Sequence, residues 1–262
     1  MSKKISRVDH SKMKSGRLPV KHDPRTFKLS TYLRGKHLTD TPTEWNWGGK
    51  VKSNKWGMMR NNVLDICTCA AAGHFIMLWT SNTGKLIEPR VISIIETYSA
   101  ITGFDSKTGK NDTGAYLIDV LKYWRKYFIG GHRIFAFAQL ENKNRELLKQ
   151  AIYLFGGCYA GLALPTSAKT QLIWSVPKEG TKGNGAPGSW TDHCVLIIGY
   201  NQDGLRIITW GAEKVMTWDF WEAYCEESYA VFSDDFLKKS KNPAGINLKG
   251  LRRDIEALKK ER

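Results

Sequence analysis

The apolar positions of the chain fall into two regimes. Residues 66–82 carry no charge, and the run Cys67-Thr68-Cys69-Ala70-Ala71-Ala72-Gly73-His74-Phe75 is dominated by small side chains. That pattern predicts a buried helix over 67–80, approached closely by a neighbouring element. Helical spacing recurs over 90–101 and over 114–127, where Leu117, Val120, Leu121 and Trp124 share a face, with a turn-rich stretch between the two. After Gly130-Gly131 the period changes. Residues 133–138 read as a strand, 144–154 as a helix, 157–164 as a second strand and 177–190 as a Gly/Pro-rich loop. Strands follow over 194–200 and 205–210, joined by Asn201-Gln202-Asp203-Gly204, whose Asp-Gly pair favours a hairpin. Thr217 is placed to cap a short helix over 218–225, and 229–232 supplies a last strand. The fold class expected is α+β, helical in the first half and mainly antiparallel sheet in the second.

The ends differ from this middle. Residues 1–16 are polar and basic without an apolar period and read as a disordered tail, whereas 18–38, with Val20, Phe27, Leu29, Tyr32 and Leu33, should pack on the main domain. Thr41-Pro42-Thr43 marks the seam, and Trp45, Trp47 and Trp56 anchor a Gly-rich approach to the first helix. Leu248, Leu251, Ile255 and Leu258 predict an amphipathic helix near 247–262. The domain layout expected is a basic arm over 1–40, a main domain over 41–237 with a helical part near 57–130 and a β part near 131–237, and a charged helical stretch over 238–262.

Charge sharpens the view of the arm. The 262 residues carry a net charge of +15, and residues 1–40 hold eleven Lys and Arg against three Asp, about half of the excess. Such an arm attracts polyanions in general, but no helix-turn-helix, zinc-finger or ribonucleoprotein pattern follows it. No apolar run reaches the ~18 residues of a membrane span, and the opening Met-Ser-Lys-Lys-Ile-Ser-Arg lacks the apolar segment of a secretory signal, so a cytoplasmic protein without membrane insertion is expected. Five cysteines form no evident disulfide framework, which suits a reducing compartment.

Two places carry chemistry. Cys67 opens the apolar helix, where unpaired amides and partial positive charge favour a thiolate, and far downstream Asp192-His193 leads into a strand. A thiol with a distant imidazole is the composition of a nucleophilic dyad. Cys67, Cys69 and His74 do not have the spacing of a zinc site, so no metal and no cofactor is expected. His74, two turns beyond Cys67, reads as a packing histidine. Cys158, Cys194 and Cys225 read as buried thiols in strands or on an apolar helix face.

Further residues extend the pattern. Pro42 precedes Asn46-Trp47, Asn61 lies six residues before Cys67, Asp112-Thr113-Gly114 precedes a helix, and Trp210-Gly211 closes the strand after His193. In this order, over 42–232, the chain resembles the papain-like cysteine peptidases, including a divergent branch of hypothetical proteins from bacteria and their phages. The resemblance implies a two-lobed fold and a cysteine hydrolase, a peptidase or related amidase working by acyl transfer through a thioester. Cys67 would be the nucleophile, His193 the base and Asn61 an oxyanion donor, with peptide or protein as substrate. Cys69 is the alternative alignment, but six residues before it stands Val63, which has no side-chain donor. Trp210 would shield the imidazole. Ile208 stands where the family places an orienting Asn, and strand alternation turns Thr209 away from the Trp210 face, so Thr209 is a candidate orienter that alternation disfavours. The arm takes the position of an inhibitory pro-segment. Two rival readings are an inactive papain-fold binding or structural protein, such as a phage or virion component of an infected bacterial cell, and a protein that binds nucleic acid or another polyanion through its arm.

Overall fold

The computed structural model describes residues 10–33, 40–141 and 143–260. The expectations for residues 1–9, for Leu38 and for the Leu258 side chain lie outside the described residues. In chain order the helices are α1 (Leu29–Tyr32), α2 (Cys67–Thr83), α3 (Val91–Thr102), α4 (Leu117–Lys126), α5 (Arg145–Phe155), α6 (Trp218–Tyr224) and α7 (Lys249–Lys260). The strands are β1 (Trp45–Asn46), β2 (Ile134–Gln139), β3 (Cys158–Leu164), β4 (Ile173–Trp174), β5 (Thr191–Tyr200), β6 (Gly204–Thr209), β7 (Ala212–Thr217) and β8 (Cys225–Ser233). Helices dominate before residue 130 and strands after it, the α+β class the pattern implies.

The sheet runs β2-β8-β3-β5-β6-β7-β4, with β1 added to β5, and every described pairing is antiparallel except β4 with β7. β3 and β5 lie at its centre, and both read as continuous apolar runs because both faces are covered. α2 packs on β5. Every residue from Cys67 to Thr80 is buried, which is why this helix has no polar face. Small residues let its neighbours in: a Cβ on Gly73 would lie 2.5 Å from the Met59 Sδ and 3.1 Å from Ile94. Asn144 caps α5 by accepting from the Leu147 N–H at 3.0 Å, and Gly156 ends it in the left-handed region at φ +87°.

Several local expectations change. β7 lacks a period-2 pattern and is a strand because the turn at Trp210-Gly211 folds it back on β6, pairing Thr209 with Ala212. Both turn residues have positive φ, +44° and +72°, the conformation of a two-residue hairpin loop matched to sheet twist. β5 starts at Thr191, so His193 lies inside the strand rather than ahead of it, and Cys225 opens β8 rather than lying on a helix face. The largest correction concerns residues 10–16, expected to be disordered. They form a 3-10 turn at His10–Lys12 and then an extended segment held by main-chain hydrogen bonds to the domain. Further along, Leu29, Tyr32 and Leu33 are buried in the common core. α7 buries Leu251 and Ile255 over Phe135, Phe232 and Phe236.

The Phe75 ring is fully buried in α2, with centroids 4.7 Å from Trp79, 6.3 Å from Trp124 and 6.4 Å from Tyr159. Phe75→Ala should destabilise the fold by about 3–5 kcal/mol, seen as a lower denaturant midpoint at unchanged slope. A loss below about 1 kcal/mol would show that this cluster is not a tightly packed centre.

Candidate active site

The site forms where α2 begins. Its first residue is Cys67, and the residue before it, Ile66, has no polar side chain to cap the free amides. The Cys67 N–H instead donates to the Ser15 carbonyl at 3.0 Å, a bond spanning 52 positions of sequence. The thiol sits against the Cys194 backbone N–H. Cys67 is fully buried, and burial pushes its thiol well above the ordinary 9.0, outweighing the opposite pull of the Cys194 N–H and of Arg17. Cys69 is equally buried and is pushed up to about 12 by desolvation.

β5 brings His193 into the same region. Its Nε2 is 2.9 Å from the Thr209 Oγ1, and its ring stacks on Trp210 with centroids 4.2 Å apart and planes 15° from parallel. Thr209 therefore faces the imidazole, against the alternation expected of the strand. Trp210 is not a strand residue but the first turn residue, at φ +44°, so its side chain no longer follows the strand's two-residue period. That turn lets Thr209 and Trp210 both reach the imidazole. Trp210 also stacks on His10 at 4.8 Å and donates from Nε1 to the Lys14 carbonyl at 2.7 Å.

His193 has no exposed surface, and its Nδ1 is buried without a hydrogen-bond partner. Burial, followed by the positive fields of His10, Arg17 and His74, lowers its pKa from 6.5 to about 3. Asn61 is also buried, in the loop before α2, with its Oδ1 unpartnered. Among the described residues no hydrogen bond joins Cys67 to His193, or the Asn61 amide to Cys67 or the Ser15 carbonyl. What the structure brings together directly is His193 with Thr209 and Trp210, and Cys67 with Cys194 and Ser15. Buried polar atoms without partners are uncommon, and two of those present here, the Asn61 Oδ1 and the His193 Nδ1, belong to candidate site residues.

The arm crosses this site as an extended peptide. Beyond the Ser15 carbonyl, Arg17 donates from its N–H to the Asp192 carbonyl at 3.3 Å. The Ala115 N–H donates to the Gly16 carbonyl at 2.8 Å, and Leu18 returns a bond to the Ala115 carbonyl at 3.1 Å. Asp112-Thr113-Gly114 thus leads into the strip that holds the arm. A Cβ on Gly114 would lie 2.2 Å from the Gly16 carbonyl oxygen, so only glycine permits this approach. Ser15, Gly16 and Arg17 lack any helical or strand signal. The one cue in the sequence is Ser-Gly-Arg beside a basic, Pro-poor stretch, which does not distinguish a bound peptide from a tail.

His74 donates from Nε2 to the Gly57 carbonyl at 2.9 Å, a packing role. No group of three or more His, Cys, Asp and Glu suited to a metal ion occurs among the described residues. Among them, too, no helix is long and apolar enough to cross a membrane.

No family model and no curated protein sequence matches the chain. Solved structures do. Xylellain, a cysteine protease from Xylella fastidiosa, matches with a TM-score of 0.61 at 11% identity, over 85% of this chain and 97% of that one. A procathepsin B from Trypanosoma congolense matches with a TM-score of 0.59 at 9% identity, over 86% and 87%. A digestive procathepsin L2 proteinase from Tenebrio molitor larval midgut matches with a TM-score of 0.59 at 12% identity, over 86% and 79%. The fold is that of the papain-like cysteine proteases.

Gly16 controls the seating of the arm. It lies at φ +90°, and a Cβ there would fall 2.0 Å from the Asp65 carbonyl oxygen. Gly16→Ala in the full chain should lift the segment from the cleft and raise the rate of Cys67 alkylation by iodoacetamide at least about tenfold, followed by site-resolved mass spectrometry. A rate equal to that of the wild type would show that the arm does not cover the thiol.

Proposed function

We propose that the protein is a papain-like cysteine hydrolase, cleaving a peptide or related amide, and that its own basic arm holds it latent. The observation that carries this reading is the Ser15 carbonyl on the Cys67 N–H at 3.0 Å. A peptide carbonyl rests on the backbone donor that a tetrahedral oxyanion would use, beside the thiol that would attack it.

In the open cleft, Cys67 gives its proton to the His193 Nδ1 and its sulfur adds to the substrate carbonyl carbon. The carbonyl π pair moves onto oxygen, held by the Cys67 N–H and, in this reading, by the Asn61 amide. The intermediate collapses as the C–N bond breaks, and His193 returns its proton to the leaving amine. Water then adds to the thioester with His193 as base, the C–S bond breaks, and acid and thiol are released. Thr209 takes the orienting place: with Nε2–H donated to its hydroxyl, Nδ1 keeps the lone pair. Trp210 covers the ring.

The polyanion reading loses ground because several arm charges already have acidic partners. Lys14 pairs with Asp65, Lys21 with Asp119, Arg25 with Asp23, and Arg17 with three carboxylates. The rival of an inactive binding protein makes a different prediction. In the Gly16→Ala protein a cysteine hydrolase should cleave a mixed peptide library, Cys67→Ala should abolish cleavage, and Asn61→Ala should lower kcat by about a hundredfold. Thr209→Val should lower kcat with little change in KM. Cys67 no more reactive than Cys158 or Cys225, with no cleavage, would favour the binding protein.

Arm seating should depend on pH. The seated arm holds His193 at about 3, whereas an exposed imidazole titrates near its ordinary 6.5, so protons bind better to the open form. Seating is therefore fully favoured above about pH 6.5 and weakens as pH falls from there toward about 3. From pH 7 to 5 the protection of the Arg17 and Leu18 amides, corrected for intrinsic exchange, should fall roughly twentyfold. Protection that stays flat over this interval would mean that His193 does not titrate with the arm.

A further inference from the structure

The arm's main-chain bonds would serve any extended peptide, since they use the Cys67 and Ala115 N–H groups, the Trp210 Nε1–H and the Asp192 and Ala115 carbonyls, and no side chain of the arm. Selectivity must then come from side-chain pockets, and one pocket beside this path is built in detail. Arg17 enters it with no side-chain exposure. Its Nη1 donates to the Glu227 Oε1 at 3.2 Å, and its Nη2 donates to the Asp192 Oδ1 at 2.8 Å and also to the Glu226 Oε2. Glu227 is 1% exposed, and the Tyr229 hydroxyl fixes its carboxylate by donating to Oε2 at 2.9 Å. The floor is shaped as well as charged. A Cβ on Gly161 would lie 2.7 Å from the Arg17 Cδ and 3.0 Å from the Glu227 Cγ, so glycine in β3 leaves the room the arginine stem fills.

We propose that this pocket of Gly161, Asp192, Glu226, Glu227 and Tyr229 is a specificity subsite, which takes an arginine side chain of the peptide substrate after the arm has left. The proposal rests on the hydrolase reading above. The acids belong to the sheet, on β5 and β8, and stay in place when the arm departs. Three carboxylates, one of them fully buried, then face one another without a cation, an arrangement that favours rebinding of positive charge. The two-pronged approach through Nη1 and Nη2 matches a guanidinium fork and not the point charge of lysine. Arginine should therefore be preferred to lysine, and both to leucine or glutamate. Arg17 in this view is a competitor of substrate, held in the pocket by the tether of its own chain.

The test uses the full chain carrying Gly16→Ala and Arg17→Ala, which frees the path and empties the pocket. Peptidyl vinyl sulfones bearing Arg, Lys, Leu or Glu at each of the first three positions from the reactive group are compared for the rate of Cys67 labelling, with iodoacetamide as a probe that needs no pocket. The expected result is labelling at least tenfold faster for Arg than for Leu at one of the three positions, with the preference lost in Glu227→Gln. Glu226→Gln and Gly161→Ala, each expected to weaken the preference, stand in if Glu227→Gln does not fold. Equal rates for Arg and Leu probes, with Cys67 reactive toward iodoacetamide, overturn the subsite and leave the hydrolase reading intact. If Cys67 is inert to every reagent the hydrolase reading fails, and the pocket is then judged by thermal denaturation. A saturable rise in Tm with ethylguanidinium, larger than with ethylammonium, supports a guanidinium site, and no difference between them overturns it.

Discussion

The architecture turns on the unmet amide at the start of α2. A helix leaves its first N–H groups without internal partners, and a buried donor left unsatisfied costs about 1–3 kcal/mol. Here Ile66 offers no side-chain cap, and the residues that follow are buried to Thr80, so bulk water has little access. The Ser15 carbonyl meets the need. A substrate carbonyl would meet it better, because a bond to an oxygen gaining negative charge is stronger than one to a neutral carbonyl. In the proposed hydrolase, stability of the closed form and stabilisation of a transition state would thus draw on one donor. The arm's order follows from this requirement and not from any local propensity of residues 10–18.

That dependence explains what was legible in the sequence. α2 and β5 announce themselves because both are buried over most of their length, so each carries a long uncharged, largely apolar run. The Asn144 cap and the Asn201–Gly204 turn are local chemistry and are equally readable. β7 is not, because Ala212 to Val215 are only partly buried and the strand owes its place to the hairpin before it. The arm is hidden for a different reason: main-chain bonds of an extended segment leave no trace in residue type. Thr209 shows the limit of periodicity. Alternation holds within a strand, and the backbone leaves β6 one residue later at Trp210, where φ is positive.

Trp210 carries much of the closure. One face of the site's aromatic cluster receives His193, His10 stacks on the same indole, and Trp190 lies 5.6 Å away. A bulky residue at positive φ is a strained choice, and it persists because contacts with the imidazole, the arm and the hairpin all fix it. Gly211 completes the turn in contact with the Gly57 backbone, where a Cβ would lie 2.8 Å from the nearest atom. The hairpin therefore links the loop before α2 to the ring that its thiol would need.

In the proposed hydrolase, latency would require no distortion of the dyad. Proton transfer from Cys67 to His193 is favourable only when the thiol is a stronger acid than the imidazolium. With the arm seated the order is reversed, since burial drives the thiol above 9.0 and the imidazole down to about 3. Arg17 lowers both groups, favouring the thiolate and disfavouring the imidazolium, yet burial is the largest cause for each. Removing the arm admits water to the thiol and the ring together, and desolvation is the contribution that water reverses first. The same movement uncovers the backbone donor, the neutral dyad and the acidic pocket. On the proposed reading, one segment of about nine residues, His10 to Leu18, would hold all three in check through contacts that are individually ordinary.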